Sequence, residues 1–125
     1  MSKIYSGKHL VHYAQVTLFN PDVEMSDPEW VDNDNFTGST SALYIATANN
    51  TEIEVSIYDS ESDISSNFAK VGERDITVGS SGFKVGDVTT NSIADVAYKA
   101  GDCHIQIYTN NSNNALVTSV ALVVS

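Results

Sequence analysis

Apolar and polar residues alternate along several stretches of the chain, most clearly around residues 51–58. Ile53, Val55 and Ile57 occupy every second position, and carboxylate or hydroxyl side chains stand between them. A period of two predicts a β-strand with one buried and one solvated face. Residues 41–48 form a second extended run, and the Asn49-Asn50 pair between the two runs tolerates the positive φ of a tight turn. Residues 41–58 therefore predict a β-hairpin.

Similar short runs, separated by turn residues, continue along the chain. We expect one strand over residues 9–19, ended by Asn20-Pro21, and a last hairpin whose strands are joined at residues 110–114. The other predicted strands lie near residues 74–78, 83–88, 93–98, 103–109 and 115–124. About seven to nine strands predict an all-β fold, a single antiparallel β-sandwich of the immunoglobulin-like or jelly-roll type. We assign residues 1–8 to an N-terminal arm and residues 9–125 to this domain.

The segment from residue 96 to residue 108 supports the same architecture. It resembles the strand, glycine turn and strand found in immunoglobulin-like sandwiches, although the chain lacks the paired cysteines of antibody domains. This resemblance concerns architecture only.

Net charge restricts the partners that the chain can bind. The formal charge is −10, and the span between His9 and Ala69 contains eleven carboxylates and no lysine or arginine. Such a surface repels phosphate backbones and anionic lipids, so we expect neither nucleic acid nor a membrane as a partner. The N-terminal residues lack the apolar stretch of a signal peptide, which predicts synthesis in the cytoplasm without export.

The residues that most often perform catalysis are few and poorly arranged. Cys103 shares a strand face with Ile105, where a thiol is expected to be buried and inert. His9 and His12 are three apart on a predicted strand, so their side chains project to opposite faces. Neither a nucleophile motif nor a glycine-rich phosphate loop is present. We therefore predict a protein that is not an enzyme and that requires no cofactor.

Two polar loops, residues 20–39 and 59–67, are the best candidates for a ligand site. If the strands of the 41–58 hairpin run in opposite directions, both loops lie at one end of the domain. Flexible loops rich in carboxylates suit calcium, and the candidate ligands are Asp32, Asp34, Asp59, Glu61 and Asp63. Trp30 could stack on a sugar ring. A carbohydrate-binding or calcium-dependent adhesion module is thus an alternative function. If these loops bind no ligand, the same acidic residues are simply part of solvated turns.

The last strand is apolar on both faces, which predicts burial on both faces. Either another segment of the chain covers its second face, or a second subunit does. We favour the subunit, and hence a homo-oligomer such as a trimer. The predicted contact residues are Ile4, Tyr5, Leu116, Val117, Val120, Leu122 and Val124.

A short, acidic, cysteine-poor, all-β chain with these features resembles the small β-sandwich accessory proteins on the heads or fibres of tailed phages. The resemblance implies a non-enzymatic structural protein, for example in capsid decoration, located on the virion surface. Such a protein would dock onto a larger shell through apolar strand surfaces and terminal segments.

Overall fold

The computed structural model describes residues 3–12, 14–22, 35–60, 64–80, 82–87 and 92–125. These residues form two five-stranded sheets and a short 3-10 turn at Asn114–Leu116. The prediction of an all-β fold is confirmed. No helix within the described ranges is long and apolar enough to cross a bilayer. The strands are β1 (Lys3–Val11), β2 (Gln15–Phe19), β3 (Phe36–Gly38), β4 (Ala42–Ala46), β5 (Thr51–Tyr58), β6 (Ala69–Val78), β7 (Phe83–Asp87), β8 (Ser92–Val96), β9 (Gly101–Thr109) and β10 (Ser119–Val124).

The first sheet has the strand order β1-β5-β10-β9-β6, and the second has the order β3-β4-β2-β7-β8. Strands β9 and β10 pair antiparallel, as predicted for the last hairpin. Strands β5 and β10, in contrast, pair in parallel, with Val120 opposite Val55 and Leu122 opposite Ile57. The topology thus departs from the predicted fully antiparallel arrangement, and the described residues alone form ten strands where seven to nine were expected.

The alternating apolar residues of the two sheets meet in one hydrophobic core. Ile53, Val55 and Ile57 of β5 are fully buried, as the period of two predicts. Leu18 and Phe83 from the second sheet belong to the same buried cluster. Because each such side chain contributes roughly 1.5–3 kcal/mol when fully buried, this shared core holds the sheets together.

The predicted hairpin over residues 41–58 is wrong, because its two strands belong to different sheets. Strand β4 pairs with β2 and β3, whereas β5 pairs with β1 and β10. The connection crosses from one sheet to the other, and Asn50 adopts a left-handed φ of 52° there. Backbone hydrogen bonds from Thr47 N–H to Ala14 O and from Ala48 N–H to Val117 O fix the crossing.

The single strand predicted over residues 9–19 is also divided. Strand β1 lies in the first sheet and β2 in the second, and Ala14 between them has a φ of 57°. Residues 3–8, which the sequence placed in an arm, belong to β1 and pair with β5, from Lys3 opposite Tyr58 onward.

The edges of the first sheet are engaged within the chain. Along β6, the Thr77 N–H donates to Thr40 O over 2.7 Å, and Arg74 Nη2 donates to Gly38 O over 2.6 Å. At the other edge, β1 contacts β7 and β8 of the second sheet. The Thr77 hydrogen bond occupies a backbone group that an open edge would offer to another chain, and the other contacts cover part of each edge strand.

Candidate protein-binding face

Two neighbouring rows of side chains across the three central strands of the first sheet are uncharged on the face turned away from the core. We call this surface the tyrosine face. Its residues are Ser56, Tyr58, Gln106, Tyr108, Ala121 and Val123.

The strand register aligns these residues in two rows. Ala121 lies opposite Ser56 on one side and Tyr108 on the other. In the next row, Val123 lies opposite Tyr58 and Gln106. Successive strand residues point to opposite faces, so these side chains face outward while the residues between them enter the core.

The middle of the tyrosine face is apolar, and larger side chains flank it. Ala121 and Val123 are only 3% and 5% exposed, although they do not belong to the core cluster. Tyr58 and Tyr108 beside them are half-buried. Because short side chains between long ones are shielded from water, the accessible surface here belongs mainly to Tyr58, Tyr108 and Gln106.

Neighbouring groups hold both tyrosines in position. The Tyr108 hydroxyl donates to Gln106 Oε1 over 3.0 Å. The Lys3 ammonium lies 5.7 Å from the centroid of the Tyr58 ring, within the range of a cation–π interaction. Side chains fixed before binding lose less conformational entropy when a partner arrives.

Charged residues surround the tyrosine face. Lys70 Nζ donates to Glu73 Oε2 over 2.5 Å, and this hydrogen bond, with the charge of Lys70, lowers the pKa of Glu73 below its ordinary value. His104 Nδ1 lies 2.6 Å from Asp75 Oδ1. On the opposite side, Glu54 stands directly across from Lys8 of β1. An uncharged centre with a charged rim is typical of protein-binding surfaces.

The predicted calcium and sugar site falls almost entirely outside the described residues. This applies to Asp32, Asp34, Glu61, Asp63 and Trp30. Asp59 is exposed and directly follows β5. Among the residues that the structure describes, no group of three or more His, Cys, Asp or Glu could hold a metal ion. The calcium site stays a prediction.

Most of the predicted subunit-contact residues lie inside the molecule. Val117, Val120, Leu122 and Val124 are at most 1% exposed and belong to the core. They contact the same chain, so they have no side-chain surface for a second subunit. Ile4 and Tyr5 are partly buried and pack against this core, whereas Leu116 is 57% exposed.

Both faces of β10 are therefore covered by the chain itself. On the inward face β10 packs into the core, and on the outward face Ala121 and Val123 are shielded by the larger side chains beside them. The sequence correctly indicated burial on both faces, but burial within one chain accounts for it.

Cys103 and His104 do not form a catalytic pair. Cys103 is buried on the inward face of β9, and burial raises the pKa of its thiol. The His104 side chain is on the opposite face and contacts Asp75. A second histidine, His9, is 4% exposed and lies 2.6 Å from the Tyr5 hydroxyl, whose pKa is raised by burial.

An open depression of about 440 Å³ lies at the opposite end of the first sheet from Tyr58. Asn35, Ser112, Asn113, Asn114 and Ala115 line it. Asn35 Nδ2 donates to Asn114 Oδ1 over 2.9 Å, so the amides partly satisfy each other.

One mixed sheet and one antiparallel sheet around a shared core define an all-β protein. The structure is similar to the crystal structure of ComJ from Bacillus subtilis, described as an inhibitor of the DNA degrading activity of NucA. The TM-score is 0.74 with 15% sequence identity, and the match covers 98% of this chain and 95% of ComJ. No protein-family model matches the sequence, and no curated protein matches it either.

The likeness to ComJ contradicts the prediction of a virion accessory protein for capsid decoration. The features behind that prediction were general, namely a short, acidic, all-β chain, and ComJ shares the fold while inhibiting an enzyme. The resemblance to phage proteins concerned the type of chain and rested on no motif. The matched structure is an enzyme inhibitor rather than a shell component.

Proposed function

We propose that this chain is a non-enzymatic inhibitor that binds a nucleic acid-degrading enzyme. The observation that carries the proposal is the likeness to ComJ over nearly the whole of both chains. We also infer that the two sheets form a single sandwich domain, since residues of both contribute to one core. The partner is a protein, in agreement with the expectation that the chain acts through protein–protein contacts.

Net charge supplies the physical reason why such a chain could inhibit a nuclease. An enzyme that cleaves nucleic acid needs a cationic surface to attract and hold the phosphate backbone. A protein of net charge −10 is attracted to that same surface and competes with the substrate for it. The negative charge that repels nucleic acid therefore favours, as a partner, a protein whose cationic surface binds nucleic acid.

The proposal is tested by titrating the purified chain into DNA-cleavage assays of NucA and of nucleases fractionated from the source organism. We expect one nuclease to lose its activity at a near-equimolar ratio, and excess divalent metal should not restore it. An unrelated acidic protein of similar size and charge serves as the control. If no nuclease is inhibited at a tenfold molar excess, or if added metal restores cleavage, the chain is not such an inhibitor.

A further inference from the structure

We propose that the tyrosine face binds the cationic, nucleic acid-binding surface of the nuclease partner. This inference rests on the proposed function and adds the contact surface to it. Tyr58 and Tyr108 are the central contacts, and the carboxylates around the face align the partner.

The composition of the face supports this assignment. Tyrosine is enriched at the centre of protein interfaces, where a few large side chains provide most of the binding energy. Tyr58 and Tyr108 stand on either side of β10, one row apart, and are half-buried. Since Gln106 and Lys3 already hold their rings, binding costs little side-chain entropy.

The charges on the same side of the sheet complement a cationic partner. Five carboxylates and three lysines project from the outward face of the first sheet. Two of the lysines are engaged locally, because Lys70 pairs with Glu73 and Lys3 lies beside the Tyr58 ring. The carboxylates are Glu52, Glu54, Glu73, Asp75 and Asp102, and the lysines are Lys3, Lys8 and Lys70.

Other described surfaces offer less to a cationic protein. On the outward side of the second sheet, Thr17 and Tyr44 are only 1% and 4% exposed, so they offer little surface to a partner. On the edge strand β6, Thr77 and Arg74 already donate hydrogen bonds to Thr40 and Gly38. The depression near Asn114 is lined by uncharged side chains. The tyrosine face combines accessible aromatic rings with an excess of carboxylates.

The test compares inhibition of the nuclease by the wild-type chain, the double variant Y58A/Y108A and the control L116S. Leu116 is an exposed apolar residue in the connection between β9 and β10 and is not one of the residues of the tyrosine face, so L116S removes exposed apolar surface outside that face. We expect Y58A/Y108A to weaken inhibition at least tenfold and L116S to leave it unchanged. Circular dichroism and thermal unfolding establish that each variant is folded.

Two further variants keep the test informative if Y58A/Y108A does not fold. Y58F/Y108F keeps the ring packing and removes only the hydroxyls, and E54Q removes one exposed carboxylate without changing the size of the side chain. We expect E54Q to slow association and to make it less sensitive to salt. We expect Y58F/Y108F to weaken inhibition by at least threefold, through the loss of hydroxyl hydrogen bonds to the partner.

The outcomes separate this inference from the proposed function. If the wild type inhibits a nuclease and the tyrosine and E54Q variants inhibit it equally well, the function holds and the assigned face is wrong. If L116S alone weakens inhibition, the partner binds at the connection between β9 and β10 and the assigned face is wrong. If the wild type inhibits no nuclease, both the function and the face are overturned.

Discussion

Gly38 occupies a position where a side chain has no room. A Cβ added there would overlap the carbonyl oxygen of Ala42 and lie 3.1 Å from the Cα of Leu43. These are backbone atoms of the paired strand β4, so they cannot move aside as a flexible side chain could. The Gly38 carbonyl also accepts the hydrogen bond from Arg74 that joins the two sheets.

We therefore expect G38A to lower the free energy of unfolding by about 1–3 kcal/mol, the usual cost of overpacking. Urea denaturation followed by circular dichroism measures the change. S112A, at an exposed loop position, serves as the control and should change stability little. Equal stability of G38A and the wild type would show that β3 and β4 do not approach as closely as described.

Cys103 combines burial with a raised thiol pKa, because its thiolate would be poorly solvated. In the unfolded chain the thiol ionises near its ordinary pKa of about 8.5. Its contribution to stability is therefore fully present below that pH and is lost as the pH rises through the folded pKa.

We expect the folded protein to react slowly with thiol reagents at pH 7 and the urea-unfolded protein to react fully. We also expect the free energy of unfolding to fall between about pH 8.5 and 9.5, before most tyrosines titrate. C103A should lack this part of the pH dependence. A fast reaction of the native protein would mean that the thiol is accessible.

At the scale of the strands, local periodicity correctly predicted which side chains point into the core, but it did not predict which sheet each strand joins. The alternation in β5 correctly identified Ile53, Val55 and Ile57 as core residues. It could not show that β4 and β5 lie in different sheets, because Asn49-Asn50 suits a hairpin and a crossing equally. Both connections need one residue with a left-handed backbone, which Asn50 supplies.

The tyrosine face was beyond sequence reasoning for a related reason. The period of two places Tyr58 and Tyr108 on the wet sides of their strands. Their proximity depends on β10 lying between β5 and β9, and the parallel pairing of β5 with β10 joins segments distant in sequence. No local residue pattern indicates such a pairing.

The crossing between the sheets is tested by two substitutions at Asn50. In N50A, alanine must adopt a φ of 52° without the short polar side chain that lets asparagine tolerate this backbone. We expect the free energy of unfolding to fall by about 1 kcal/mol. N50G accepts this backbone freely and should be closer to the wild type. Asn50 Oδ1 also lies 3.3 Å from His12 Nδ1, and both variants lose that contact. Equal destabilisation by N50A and N50G would therefore assign the effect to the side-chain contact.

At the scale of the whole molecule, the charge excess is unevenly distributed along the chain. All six lysine and arginine residues lie in the described ranges, together with nine of the sixteen carboxylates. The other seven, sixteen minus nine, lie in residues 23–34 and 61–63. Like charges repel one another and destabilise the compact state, and salt screens this repulsion.

We therefore expect the melting temperature to rise when sodium chloride is increased from about 0.02 to 0.3 M, a range over which the Debye length falls below roughly 10 Å. The variant E52Q/E54Q carries a net charge of −8, that is −10 plus 2, and should show a smaller rise. Both residues are exposed, so their substitution leaves the core intact. A melting temperature independent of salt in both proteins would show that self-repulsion does not limit stability.

Burial within the chain also changes the expected oligomeric state. The homo-oligomer was predicted because both faces of the last strand are apolar, and the core and the flanking tyrosines now account for that pattern. Since the edges of the first sheet are also engaged, we expect a monomer of 13.5 kDa by light scattering over a wide range of concentration. A concentration-dependent dimer or trimer would contradict this expectation. Y58A/Y108A would then show whether the tyrosine face joins copies of the chain, because loss of that contact should restore the monomer.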